Sequence, residues 1–368
     1  MPSALAAVVR EARGPFTFEE VELESPRADE VLVKVVASGI CHTDVAVRNQ
    51  DIDLPLPMVL GHEGSGVVEA VGSAVRHLQP GDHVVLSGDS CGTCGHCHQG
   101  QPAYCDDFVA RNLSGWRVDG SSPMHRLGQP LRGRFVGQSS FATRSLVPAR
   151  SAVKIDGDLP LELMGPLGCG LTTGFGTVTN ALRPPAGAAV AVFGVGTVGL
   201  AAIMGAVASG CAQVIAVDVR RARLDMAVSL GATHAIDASA QDPVAAILAI
   251  TRGGADFSVE CSGVPVAVRQ AVDCLARPGW CAQVGATPGG IEIPFSMDHI
   301  GMGRGIRGVV MGDAVAQTFV PYLASLHRDG RLPFERFVKF YEFADIEQAI
   351  HESSVTGEVI KPILRMPG

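Results

Sequence analysis

The run AAVAVFGVGTVGLAAIMGAVASG, residues 188–210, admits few folds. A short β-branched stretch ends among glycines 194, 196 and 199, where an alanine-rich helical stretch begins. A phosphate-binding βα turn needs one glycine to turn tightly, a second to bare the backbone, and a third where helix meets strand. Gly194, Gly196 and Gly199 stand at those places. The next apolar run, QVIAVD, ends at Asp218, 19 residues after Gly199. A carboxylate there accepts from adenosine ribose hydroxyls and repels a 2′-phosphate, which favours NAD over NADP. Arg220 and Arg221 follow at once and keep that preference incomplete.

Further apolar runs, HAID, DFSVE and WCAQVG, alternate with amphipathic segments after the loop. This alternation predicts βαβ units and a buried, doubly wound parallel sheet. Residues before about 150 read differently. EVLVKVVASG, GSGVVEAVG and DHVVLSG are β-rich runs broken by Gly, Pro and Asp, which predicts a mostly β domain. The chain has 368 residues, more than one core usually spans, and 47% of them are apolar, enough for two cores. The expected class is therefore α/β, with a doubly wound dinucleotide domain over 172–310. The tail is too short to bury a core alone, so residues 311–368 are expected to rejoin residues 1–171 in the other domain.

The formal charge of −8, without a dense basic cluster, argues against nucleic acid as a partner. No run approaches the roughly 20 apolar residues of a membrane helix, and no membrane partner is expected. A cytoplasmic protein is the expectation, with its ten cysteines reduced or metal-bound rather than paired. Four of them fall in CGTCGHCHQGQPAYC, residues 91–105, which has almost nothing apolar to bury. Thiolates from Cys91, Cys94, Cys97 and Cys105 can converge tetrahedrally on one Zn²⁺ and leave no position open for chemistry. The metal would then replace the core that this lobe lacks. His96 and His98 are rival ligands, and an iron–sulfur cluster is the alternative. Cys211, Cys261, Cys274 and Cys281 lie in strand or helix patterns and read as small core residues.

Cys41 in GICHTD, His62 in GHEG and Cys169 in GPLGCGLTTG are single polar residues beside glycines. Their spacing does not join them, and each alone reads equally well as part of a core. Taken in order, GICHTD, GHEGSGVVEAVG, the four-cysteine lobe, GPLGCGLTTG and GVGTVG resemble the zinc-containing medium-chain alcohol dehydrogenases over essentially the whole chain. LPLPMVLGHEGSG, FVGQSSFAT, LPLELMGPLGCG and FPFERFVKFYEF are similar to the aryl-alcohol (benzyl alcohol) branch, which has a near relative in bacterial geraniol dehydrogenase.

The resemblance implies a GroES-like catalytic domain and a Rossmann coenzyme domain. It implies two Zn²⁺ per chain, NAD(H), and reversible oxidation of a hydrophobic primary alcohol to its aldehyde. Cys41, His62 and Cys169 would hold the catalytic zinc, with Glu63 as a transient ligand and Asp44 orienting the histidine. Thr43 would hydrogen-bond the alcohol. His42 and Lys361 match basic positions near the coenzyme pyrophosphate, Thr173 and Val284 match positions near the nicotinamide, and Arg223 one near the adenosine ribose. Ile52, Phe135, Val136, Ala286 and Val310 match the substrate pocket. Ala46 stands where many such enzymes end a proton relay in histidine. Aryl alcohols are the expected substrates, with geraniol-type alcohols the alternative and a homodimer or homotetramer the expected assembly. A non-catalytic nucleotide-binding protein on the same fold is a further alternative, against which all three ligands and Thr43 are present.

Overall fold

A computed structural model describes residues 2–287 and 289–367. The chain divides into two compact units, one running to Cys169 and resuming at Val315, the other spanning Gly170–Ala314. The crossings thus lie at 169 and 315, where the sequence texture put them at 171 and 311. Packing explains the difference. The helix Gly170–Gly176 lies against the helix Thr197–Ala208, so close that a Cβ on Gly174 would meet the Val198 carbonyl oxygen at 2.0 Å. The turn Met311–Asp313 packs on that same first helix.

The discontinuous unit is built on two sheets. One orders the strands Met58–Val59, Ser3–Val9, Phe16–Leu23, Met124–Arg126 and Gln129–Leu131. The other centres on the long strand Glu30–Gly39, flanked by Glu63–Val71 and by the C-terminal strand Lys361–Arg365. Gly39 therefore faces Glu63 on one side and Ile363 on the other. That pairing brings three distant parts of the chain together at one sheet end.

In the second unit six parallel strands run in the order His234–Asp237, Gln213–Asp218, Ala189–Phe193, Ala255–Glu260, Leu275–Gln283 and Arg304–Gly308. Numbered along the chain this is 3-2-1-4-5-6, the doubly wound dinucleotide order. Its central strands are buried on both faces, which is why they read as unbroken apolar runs. Cys274 and Cys281 are wholly buried among them. Among the described residues no helix is long and apolar enough to cross a membrane.

One buried charge network ties the 106–134 segment to the first unit. Glu30 accepts from Arg117 Nε at 2.7 Å and Nη2 at 2.9 Å, and from Arg134 Nη1 at 2.8 Å. All three side chains are buried. Burial opposes charge on Glu30, but the Arg117 hydrogen bonds outweigh it and hold the carboxyl below its usual value. Glu30→Gln would leave two buried guanidiniums short of a counter-charge. The expected cost is about 3 kcal/mol, read as a lower urea midpoint. Because the folded value is depressed, this stabilisation is present above the unfolded value of about 4.3 and is lost as pH falls below it. The gap between wild type and Glu30→Gln should therefore close in acid.

Candidate active site

Chain geometry at the end of the strand Glu30–Gly39 sets the site. Cys41 N-caps the helix His42–Asn49, and its backbone N–H donates to Asp44 Oδ2 at 3.0 Å. The other oxygen, Asp44 Oδ1, accepts from Gly61 N at 3.0 Å and from His62 Nδ1 at 2.8 Å. One wholly buried carboxylate thus fixes Cys41 and His62 together. With Nδ1–H given to Asp44, the lone pair of His62 is on Nε2, which is free to ligate. Cys169 arrives from the turn Gly165–Gly168, whose glycines allow contact with sheet backbone. A Cβ on Gly168 would meet the Leu86 carbonyl oxygen at 1.9 Å.

One donor atom each from Cys41, His62 and Cys169 lies within 4.8 Å of the others. Cys41 is pulled well below the usual thiol range, first by a hydrogen bond from Cys169 and then, against burial, by His62. The same Cys41 contact, with burial, pushes Cys169 well up. Burial opposes charge on His62, yet Asp44 and the Cys41 thiolate outweigh it and raise its pKa well above normal. Protons shared among two thiols and an imidazole are what a soft divalent cation displaces, so this donor set fits zinc.

Thr43 is half-buried, and the Cys41 thiol lies 3.9 Å from its hydroxyl. His42 is exposed and Ala46 buried. Glu63 stands outside the cluster of donor atoms. Its carboxylate accepts from Lys361 Nζ at 2.7 Å, and Lys361 also donates to the Ile40 carbonyl at 3.0 Å. This corrects one expectation: Lys361 is buried and committed to Glu63 rather than presented to a coenzyme pyrophosphate. Burial raises the Glu63 pKa, and Lys361 offsets only part of that. Burial also opposes charge on Lys361, but Glu63 outweighs it and the pKa rises. Gly39 makes the pair possible, since a Cβ there would meet Glu63 Oε2 at 2.1 Å.

Phe135 departs from its expected place in a pocket wall. It is wholly buried and stacks edge-on against His62, with ring centroids 5.5 Å apart, so it braces the histidine. Ile52 and Val136 are half-buried around the same core, joined there by Leu54, Leu56 and Leu113, which the sequence did not single out. Val136 has φ +49°, strained for a β-branched residue. Gln138 was also missed. Its side chain donates to the His62 carbonyl at 2.9 Å and accepts from Gly64 N at 3.1 Å. No residue type or spacing flags such a backbone clamp.

The four sulfurs of Cys91, Cys94, Cys97 and Cys105 also lie within 4.8 Å of one another, and His96 and His98 stand exposed outside them. Backbone N–H groups point at the sulfurs, as from Cys91 to Cys105 at 3.2 Å and from Gly92 to Cys97 at 3.3 Å. Such N–H groups draw Cys91 down to about 6, while burial pushes Cys105 up to about 12. Thiolates solvated by amides in a tetrad suit a structural zinc.

In the second unit Gly194 takes φ +79°, and a Cβ on Gly199 would meet the Gly194 carbonyl at 2.1 Å. Above Gly196 the nearest atom to a Cβ is Arg223 Nη1 at 3.8 Å, so that backbone is open to a ligand. Asp218 is buried and accepts from Val195 N at 2.8 Å, Val219 N at 2.8 Å and Arg220 N at 2.9 Å. Arg223 Nε is buried with no partner among the described residues, and burial lowers its pKa despite Asp218. An orphaned guanidinium nitrogen beside an open glycine loop fits a dinucleotide. Thr173 and Val284 are half-buried, Ala286 is exposed and Val310 is 37% exposed.

Fold and site together define a two-domain dehydrogenase with a candidate catalytic metal centre. Residues 27–157 match the alcohol dehydrogenase GroES-like domain, and residues 197–328 match the zinc-binding dehydrogenase domain. The chain belongs to the zinc-binding medium-chain alcohol dehydrogenase family. It is 44% identical to geraniol dehydrogenase from Castellaniella defragrans, over 98% of this chain and 97% of that one. The crystal structure of benzyl alcohol dehydrogenase from Acinetobacter calcoaceticus superposes with a TM-score of 0.96 at 44% identity, covering both chains fully. An alcohol dehydrogenase zinc-binding domain protein from Burkholderia ambifaria gives a TM-score of 0.97 at 47% identity, again with full coverage of both.

Proposed function

We propose that this alcohol dehydrogenase is NAD-dependent, holds two zinc ions per chain, and interconverts hydrophobic primary alcohols and aldehydes, with aryl (benzyl-type) alcohols preferred. The observation that carries the reading is the convergence of Cys41, His62 and Cys169 on one point, with Asp44 buttressing two of them. Three protein donors leave one coordination position for a substrate oxygen. A zinc ion there supplies Lewis-acid polarisation, the effect that takes bound water from a pKa of about 15.7 to about 7. The glycine loop would hold NAD⁺, which would serve as hydride acceptor, with Thr173 and Val284 assigned to the nicotinamide side and Arg223 to the adenosine ribose.

The chain's own residues orient and move the proton. Asp44 holds the ligating histidine, and Thr43 accepts the alcohol O–H and passes its proton on. With Ala46 buried, the exit runs through exposed His42 or water. His42→Gln should therefore alter the pH profile of kcat; an unchanged profile would exclude His42.

The half-buried rim of Ile52, Leu54, Leu56, Leu113 and Val136 supports an apolar ring as substrate. The geraniol dehydrogenase relative favours a second reading, an acyclic allylic alcohol. The test is NAD⁺ reduction by zinc-loaded protein with benzyl alcohol, cinnamyl alcohol, geraniol and ethanol, with NADP⁺ as control. Higher kcat/KM for the aromatic alcohols supports the aryl reading, and a lead for geraniol moves the substrate to the terpene class. Asp218→Asn should shrink the preference for NAD⁺ over NADP⁺ about tenfold, the worth of one hydrogen bond to a charged group.

A homodimer or homotetramer is the proposed assembly, to be checked by light scattering. All ten cysteines are unpaired, which supports a reducing, cytoplasmic setting.

A further inference from the structure

The last parallel strand, Arg304–Gly308, runs into a turn at the carboxyl edge of the sheet, where dinucleotides bind in this topology. Met311, Gly312 and Asp313 take φ of +50°, +63° and +49° in succession. Two of the three are not glycine, and such backbone persists only where its surroundings over-determine it.

The surroundings are the helix Gly170–Gly176 and the π-helical turn Thr177–Leu182 that extends it. A Cβ on Gly312 would meet the Thr172 carbonyl at 2.4 Å and the Thr173 carbonyl at 3.0 Å. The Gly312 carbonyl accepts from Asn180 Nδ2 at 3.1 Å. The Thr179 hydroxyl lies 3.1 Å from the Phe175 carbonyl and 3.3 Å from Asn180 Oδ1, so the amide oxygen faces the hydroxyl and the amide nitrogen faces Gly312. The Thr173 hydroxyl in turn lies 3.9 Å from Met311 Sδ. π-Helical turns recur at functional sites, and here the inserted residue set carries the carboxamide that holds the turn.

We propose that Asn180 is a positioning residue: it latches the Met311–Asp313 turn onto the helix bearing Thr173, and so sets the surface that receives the nicotinamide half of the cofactor. The inference rests on the NAD reading above. Asn180 itself touches no reacting atom. Its loss disturbs the nicotinamide end and leaves the adenosine end, at Gly196, Asp218 and Arg223, as it was.

ADP-ribose carries the adenosine end without nicotinamide, so it separates the two. In zinc-loaded Asn180→Asp, where a carboxylate oxygen would face the Gly312 carbonyl, the Kd for NADH should rise about five- to tenfold. The Kd for ADP-ribose, by calorimetry, should not change. Asn180→Ala removes the donor without adding charge and carries the same test if the Asp variant fails to fold. Equal weakening of both ligands, as a general loss of structure would give, overturns the proposal, and so does no change in either. Wild-type protein that bound neither ligand would overturn the NAD reading and this inference with it.

Discussion

His62→Ala and Cys169→Ala should each lower kcat/KM for alcohol oxidation by about a thousandfold or more. Lewis-acid polarisation is worth several kcal/mol of barrier, and each 1.36 kcal/mol is tenfold in rate. Asp44→Asn keeps the shape but replaces one of two acceptor oxygens, Oδ2 for Cys41 N–H or Oδ1 for His62 Nδ1–H, with an amide N–H₂. Its expected effect is smaller, about 10- to 100-fold in metal affinity. Zinc content by atomic absorption, measured beside activity, separates the cases. The ligand variants should hold one zinc per chain, and Asp44→Asn should regain activity as zinc is added. Full activity in Cys169→Ala would end the catalytic assignment.

Cys97→Ser should cost the second metal and much of the fold's resilience. The helix Gly95–His98 buries no residue, and the lobe's buried residues are only Ala103 and Cys105, too few for a core of its own. Apparent binding energies of small zinc-folded units are on the order of 10 kcal/mol. Local opening of the lobe limits how much of that reaches global stability. The expected fall in Tm is about 10 °C, equivalent to about 3–4 kcal/mol for a unit of this size. Activity measured at low temperature should persist in part, because the proposed catalytic donors, Cys41, His62 and Cys169, are three other residues. Unchanged zinc content and Tm would show that the tetrad does not hold a metal.

The reach of the sequence differed from one site to the other. Glycines 194, 196 and 199 with Asp218 and the alternating apolar runs announced the doubly wound sheet, because a βα turn and a buried parallel strand are local chemistry. The cysteine tetrad was legible for the same reason: all four sulfurs lie within one short loop, and a loop without a core must be held by something else. Helix and turn packing moved the unit boundary to Cys169 and Val315, which no texture marks.

Cys41, His62 and Cys169 are another matter. Over a hundred residues separate the first from the last, and singly each passes for a core residue. Only the antiparallel pairing of Gly39 with Glu63 sets Cys41 beside His62, and only the glycine turn at 165–168 carries Cys169 to them. The same sheet, pairing Gly39 with Ile363 on its other side, buries Lys361 against Glu63 and withdraws it from the surface. Phe135 and Gln138 likewise took their roles from what they touch, the ring and the carbonyl of His62. By itself the sequence determined what is built from neighbours in the chain: the glycine loop, the parallel strands and the cysteine lobe. The three-donor centre and its buttresses were decided by tertiary structure, because convergence of distant donors depends on strand register, and register is a property of the folded sheet.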